Sequence, residues 1–217
     1  MARSKERRSR TSSKYVYYAL QLYSSELSLR KTSERLSALL IRRRNHVSIW
    51  NWIQSYKPRR ILFQSRRRTI SEFIIDETLI KAGSDYVWLW VVAIEPRDKM
   101  ILGIRISIER SMLVAEQFIQ SLIRKYGGKH NVSTDGGTWY YPQACKFLNV
   151  KHHIHSSIEK SFIERTIQYI KDRTDECFDD YFPCMRINCK LEHIMNWSVL
   201  FVDMYNREIV TKQKIVK

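Results

Sequence analysis

Apolar residues recur along this chain with two different periods, and the change from one to the other divides it. Over residues 15–23, 29–40 and 47–56 they return every three or four positions, which predicts three short helices. In the second, Leu29, Leu36, Leu39 and Leu40 are available to a core. In the third, Ile49, Trp52 and Ile53 stand at i, i+3, i+4 and face inward, Ser48, Asn51 and Gln54 face outward, and Trp50 lies at the boundary. Residues 24–28 read as a turn and cap, Arg42-Arg43-Arg44-Asn45-His46 as a polar turn, and Lys57-Pro58 as a stop. After residue 70 the runs shorten and become β-branched and aromatic. Segments 73–80, 86–94 and 100–107, separated by Gly83-Ser84-Asp85 and Pro96-Arg97-Asp98-Lys99, predict an antiparallel meander. A helix is expected over 112–126, with Val114, Phe118, Leu122 and Ile123 as its stripe and Gly127-Gly128 at its end. Then come a strand at 130–134, a short helix at 141–148 with Pro142 in its first turn, a strand at 150–155, and helices near 158–173 and 191–205.

The second part thus reads βββαβαβα. That is the order of an RNase H-like α/β fold, a mixed five-stranded sheet with flanking helices. The three helices before it read as a small all-α helix-turn-helix module. The expected division is a basic disordered tail (1–14), the helix-turn-helix (15–56), a basic linker (57–70) and the RNase H-like domain (71–217).

Charge sharpens this division. The 217 residues carry a net charge of +16, and residues 1–70 hold 18 of the 38 Lys/Arg but only three of the 22 acids, Glu6, Glu26 and Glu34. A strongly basic module on a nearly neutral domain calls for a polyanionic partner. Nucleic acid is favoured over membrane, because no lipid-anchoring motif is present and the longest apolar run, 86–94, is too short to cross a bilayer. The first residues have no hydrophobic stretch behind them, so no secretory signal is read there, and a cytoplasmic, nucleoid-associated protein is expected. Its four cysteines (Cys145, Cys177, Cys184, Cys189) are then expected to be reduced. Three of them lie near His193, but their spacings do not match CxxC-type zinc sites.

In a helix-turn-helix the second helix enters the major groove. Ser48 and Asn51 are placed to reach base edges, and Arg42, Arg43 and Arg44 to hold phosphates. Arg66, Arg67 and Arg68 of the linker can lie along a phosphate backbone. The competing reading of both groups is a solvated basic surface.

The chemistry resides in three carboxylates. Asp76 and Asp135 each follow a short strand-like run, and Glu164 lies on a helix with Lys171 seven residues, or two turns, further along the same face. Carboxylates gathered in this way require cations between them, and two Mg²⁺ ions suit such a site for phosphoryl transfer. Lys171 can then hold a substrate phosphate. Each candidate has a rival. Glu77 follows Asp76, but strand alternation turns it to the opposite face. Asp135 precedes Gly136-Gly137 and could be a turn residue. Glu159 lies five residues before Glu164, off its face. His152, His153 and His155 are read as an ordinary strand with one inward histidine, with contact to DNA or a metal as the alternative.

Several of these segments together resemble the DDE transposases of the insertion-sequence 6 family, in its archaeal form. Leu27-Ser28-Leu29-Arg30-Lys31 and Val47-Ser48-Ile49-Trp50-Asn51-Trp52-Ile53 resemble its helix-turn-helix. Ile75-Asp76-Glu77-Thr78 with Ile80-Lys81, Ser133-Thr134-Asp135-Gly136 through Tyr141-Pro142-Ala144, and Ile163-Glu164-Arg165 with Tyr169-Ile170-Lys171-Asp172-Arg173 resemble its three catalytic blocks. The resemblance implies that Asp76, Asp135 and Glu164 are a metal-binding catalytic triad using two Mg²⁺ (Mn²⁺ substituting), and that Arg30 and Lys31 join the DNA-binding residues. It implies cleavage at terminal inverted repeats, strand transfer to target DNA, and a homodimer or larger synaptic assembly on double-stranded DNA. The interval from Asp135 to Glu164 is shorter than usual in bacterial members, and the part after Pro183 matches less. The alternatives are another RNase H-like nuclease or resolvase, or a catalytically inactive helix-turn-helix protein.

Overall fold

The computed structural model of the chain describes residues 11–25, 27–40, 44–58, 70, 72–82, 85–93, 99–128, 130–136, 140–175 and 190–215. Arg42, Arg43, Arg66, Arg67, Arg68, Cys177, Cys184 and Cys189 lie outside the described residues, as do residues 1–10 and most of 57–70. The chain forms two compact units, Met1–Ser55 and Tyr56–Lys217.

In the first unit, helices α1 (Ser13–Ser24), α2 (Leu29–Leu40) and α3 (His46–Gln54) pack pairwise. All three start on residues suited to it. The Ser12 side chain accepts the Lys14 N–H, the Ser28 side chain accepts the Lys31 N–H at 3.2 Å, and the Asn45 side chain accepts the Val47 N–H at 3.1 Å, satisfying donors that a first turn leaves without partners. Ala19, Leu20, Tyr23, Leu36, Ile49 and Ile53 are buried, so α3 turns inward the face its periodicity predicts, with Trp52 half-buried. Leu39 departs from expectation: it is 68% exposed. The inward positions of α2 are Thr32 and Leu36, one turn apart, and the core ends before the last turn that carries Leu39.

The second unit is built on a five-stranded sheet of β1 (Glu72–Ala82), β2 (Asp85–Ala93), β3 (Ile101–Ser107), β4 (Asn131–Thr134) and β5 (His152–Ile154), in the order β3-β2-β1-β4-β5. The first three strands are antiparallel, while β4 and β5 run parallel to β1. With α4 (Met112–Tyr126), α5 (Tyr140–Phe147), α6 (Ser157–Asp175) and α7 (Leu191–Ile215), this is the RNase H-like arrangement. β1 is central and covered on both faces, so Phe73, Ile74 and Ile75 form a continuous buried run rather than an alternating one. Phe73 and Ile75 join Trp90, Val132 and the α4 side chains Ala115, Phe118, Ile119 and Leu122 in one cluster. The stripe of α4 is therefore rotated slightly from the expected one, with Val114 and Ile123 at its half-buried margin. Gly127, at φ 72°, closes α4 in a conformation that costs glycine little, its N–H donating to the Ile123 carbonyl.

Helix α7 runs ten residues past the expected end. Trp197, Leu200, Phe201 and Met204 are all buried. Trp197, Phe201 and Tyr205 form a ladder of rings, and Tyr169 of α6 meets Phe201 at 5.8 Å and Tyr205 at 5.3 Å between centroids. One residue further, the Asn206 side chain accepts the Ile101 N–H at 2.9 Å and donates to the Ile101 carbonyl at 2.8 Å. This satisfies backbone groups of an edge strand that has no sheet partner on that side. Among the described residues, no helix is long and apolar enough to cross a membrane.

Candidate active site

The parallel pairing of β1 with β4 sets Phe73 opposite Val132 and Ile74 opposite Ser133. Carried two residues further, that register brings Asp76 opposite Asp135, just beyond the end of β4. Neighbouring strands lie about 4.8 Å apart, so the two aspartates are adjacent. Both follow the parity of Ile74 and Ser133 and so share a sheet face. Helix α6 packs on β1 and β2, burying Ile163, Thr166, Ile167 and Ile170, and leaves the Glu164 side chain 58% exposed and 4.0 Å from Lys160.

The electrostatics of Asp76 register all three acids. Burial pushes its carboxyl up to about 7. The Glu77 N–H, donated to Asp76 Oδ1 at 2.8 Å, opposes this, while the charges of Glu77, Asp135 and Glu164 add to the rise. The fold therefore brings both Asp135 and Glu164 within electrostatic range of Asp76. A half-buried carboxyl that feels the charges of two others is a donor set suited to hard divalent cations, which would restore its ionised form.

The two rivals have other tasks. Glu77 points to the opposite face, as alternation requires, and is 8% exposed. It accepts from Arg110 Nε at 2.7 Å and from the Tyr141 hydroxyl, and Arg110 lies over the Trp88 ring at 4.7 Å. Glu159 caps its own helix: its carboxylate accepts the Ser156 N–H at 2.6 Å, and the Ser156 hydroxyl accepts the Glu159 N–H at 3.3 Å. This reciprocal Ser-x-x-Glu box is written in the sequence, though it was not among the expected features. Against the upward push of burial, the Ser156 bonds hold the Glu159 carboxyl well below the usual range.

The three histidines are all engaged. His152 pairs with the Thr134 hydroxyl at 2.8 Å and His155 with the Ser133 hydroxyl at 2.7 Å. Burial pushes the His155 imidazole down, while the carboxylates of Glu159 and Asp135 oppose this. His153 Nε2 stands 3.2 Å from Glu159 and 3.5 Å from Glu72. Among the described residues, Glu72, His153 and Glu159 form the group of three ligand types whose donor atoms all lie within 4.8 Å of one another. Periodicity did not single out Glu72. The only available signal was its separation of four from Asp76, which puts both on one face of β1. Cys145 is buried, which pushes its thiol up to about 12 and makes it inert.

Of the residues expected to meet DNA, Lys171 is half-buried on α6, Arg30, Lys31 and Asn51 are exposed, and Ser48 is half-buried. Arg30 and Arg44 line one open groove of about 1030 Å³ together with Ser33, Glu34, Ser37, Asn45 and His46. Ser37 Oγ accepts the Arg44 N–H at 3.2 Å and Ser33 donates to the Arg44 carbonyl, so the polar turn is fastened to α2.

No protein-family model matches the chain. The solved structures it resembles share little sequence with it. A chain of the simian T-cell lymphotropic virus intasome in complex with PP2A regulatory subunit B56 gamma is 17% identical, with a TM-score of 0.46 over 85% of this chain; the match spans 65% of the viral chain. The catalytic core domain of BIV integrase is 15% identical, with a TM-score of 0.44 over 69% of this chain and all of the core. The catalytic domain of Mos1 mariner transposase is 12% identical, with a TM-score of 0.38 over 69% of this chain and 85% of that one. A much stronger match is by sequence: the uncharacterized protein MJ0017 of Methanocaldococcus jannaschii is 30% identical over 200 residues, covering 92% of this chain and 89% of the relative. The chain belongs to the same family as that Methanocaldococcus jannaschii protein.

Proposed function

We propose that the chain is a DDE-type polynucleotidyl transferase, the transposase of an insertion sequence, with Asp76, Asp135 and Glu164 as its metal-binding catalytic residues. The observation that carries this reading is the β1–β4 register, which sets Asp76 beside Asp135 on the face covered by α6, where the charge of Glu164 reaches Asp76. Two Mg²⁺ ions, or Mn²⁺ in their place, would be held by these three carboxylates and would supply activation of the attacking hydroxyl and stabilisation of the leaving 3′-oxygen. Asp76, half-buried and charged against two neighbours, contributes the least solvated ligand. Glu164, exposed on α6, can turn toward the strands when the nucleic acid arrives. Lys171, two turns along, offers a cation to a substrate phosphate. In the helical unit, Arg30, Lys31 and Arg44 supply phosphate contacts, and Asn51 and Ser48 supply base contacts to the terminal inverted repeats. Arg42, Arg43, Arg66, Arg67 and Arg68 are assigned to phosphates on the sequence alone. The chain acts on double-stranded DNA as a homodimer or larger assembly, since two ends must be held together.

The test is Mg²⁺-dependent nicking of a labelled duplex bearing the element's own ends, with wild type compared to Glu164→Gln. Wild type is expected to nick at the terminus, and the variant to bind the duplex but lose cutting by at least about a hundredfold, since even indirect supports of a metal site cost 10–100-fold. Equal cutting by both would make Glu164 the wrong carboxylate. Binding without cutting by either would leave a DNA-binding protein. In the same titration, log K should fall linearly with log salt at about −0.9 per phosphate neutralised, and Arg30→Gln should lower that slope by about one. A flat salt response would refute phosphate-dominated binding.

A further inference from the structure

We propose that Glu72, His153 and Glu159 form a second divalent-cation site, selective for Zn²⁺, which ties β1, the edge strand β5 and the first turn of α6 together. The three ligands come from three elements and converge without rearrangement. His153 Nε2 lies 3.5 Å from Glu72 Oε2 and 3.2 Å from Glu159 Oε1, and all the donor atoms fall within 4.8 Å of one another. The ligand types bear on which ion fits, and the separations are compatible with the smaller tetrahedral ion. In a tetrahedral Zn²⁺ site with bonds of about 2.0–2.1 Å, neighbouring donors lie about 3.3–3.4 Å apart. Octahedral Mg²⁺ at similar bond lengths needs donors about 2.9 Å apart and takes oxygen rather than imidazole. One imidazole with two carboxylates is a set that Zn²⁺ accepts, with water completing the tetrahedron.

The surroundings prepare the ligands. The Glu159 side chain is only 9% exposed, and its Oε2 is fixed by the Ser156 N–H, which leaves Oε1 aimed at His153. The Glu72 and Glu159 carboxyls both face His153 Nε2, with all three donor atoms within 4.8 Å of one another, so a bound cation would have two acidic oxygens and one ring nitrogen at hand. His153 is 43% exposed, which leaves the open side for entry and for the water. Glu72 lies four residues, about 13 Å along the strand, before Asp76, so this is a different site from the carboxylates described above. Zn²⁺ there would anchor the start of α6, the helix that presents Glu164 five residues later. The proposal stands whether or not the chain cuts DNA.

The experiment uses the full chain, with Zn²⁺ and Mg²⁺ compared by equilibrium dialysis with metal analysis and by thermal melting, on wild type and His153→Ala. Wild type is expected to hold one more Zn²⁺ per chain than the variant. At a hundredfold excess of free Zn²⁺ over Kd its Tm should rise by about 5–10 °C. The variant should lose this rise, and Mg²⁺ should not reproduce it. Equal Zn²⁺ stoichiometry and equal melting shifts in the two proteins would overturn the site. If the variant does not fold, the Co²⁺ spectrum of wild type decides. Intense visible bands of tetrahedral cobalt without thiolate charge transfer support the site, whereas weak octahedral bands or a thiolate-dominated spectrum overturn it.

Discussion

Asp76→Asn is expected to make the protein more stable at pH 8 while removing its activity. The folded state raises this carboxyl from 3.8 to about 7, chiefly by burial and then by the charges of Glu77, Asp135 and Glu164. Between pH 4 and pH 7 the folded chain therefore holds a proton that the unfolded chain has released. Stability falls as pH rises through that window and levels off above pH 7. Moving a carboxyl from 3.8 to about 7 corresponds to about 4 kcal/mol at most. Asparagine keeps the shape and the acceptor for the Glu77 N–H but discards the charge, so about 1–3 kcal/mol of this is expected back at pH 8. Near pH 4, where the native carboxyl is neutral, the two proteins should melt alike. Urea unfolding of both at pH 4 and pH 8 measures the difference. No gain at pH 8 would mean that the carboxyl is not strained by burial and its neighbours. Cutting of terminal duplexes should fall by at least about a hundredfold in the same variant, because the proposed assignment makes Asp76 a direct ligand rather than a support. Added Mg²⁺ should stabilise wild type more than the variant at pH 8.

The second large effect is expected on the other face of β1. The Glu77 side chain is 1% exposed and has Arg110 and Tyr141 as partners. Replacing Arg110 by Met strands that carboxylate in the core between Trp88, Trp90 and α5. Removing one partner of a buried pair typically costs about 3–5 kcal/mol, far more than the pair gains over an apolar replacement of both. For a domain of this size the Tm should drop by about 10 °C or more. Adding Glu77→Met should recover most of the loss, and the double variant is the control for the mechanism. A loss below about 1 kcal/mol in Arg110→Met would mean that Tyr141 and water suffice for Glu77. Because Glu77 adjoins Asp76 on β1, the single variant should also loosen the strand that presents the aspartate.

Part of the candidate site's geometry was readable before the fold. The alternation around Phe73-Ile74-Ile75 turns Asp76 and Glu77 to opposite faces, and one of them is indeed committed to an internal ion pair. A strand-borne Asp76 and an Asp135 just past a strand can meet only if the strands are neighbours in parallel register. The βββαβαβα order, with the fourth strand beside the first, makes that pairing a consequence of topology. Arg110 was not legible, because it follows β3 and reaches Glu77 from 33 residues away with no periodic pattern to announce it. Leu39 misled for the opposite reason: its spacing fits the α2 stripe, but the core ends a turn earlier.

What the sequence by itself determined are the properties that depend on near neighbours: the elements, the glycine stop of α4, the inward face of α3, the opposite facing of Asp76 and Glu77 on β1, and the concentration of positive charge in the first 70 residues. Periodicity and capping act over one or two turns, so they survive being read along a line. Only the tertiary structure decided the meetings between distant residues: Asp135 and Glu164 with Asp76, Asn206 with the edge of β3, and Glu72 with His153 and Glu159. Those meetings depend on strand register and on the angle at which α6 and α7 cross the sheet, quantities set by the packing of the whole core rather than by any local run of residues.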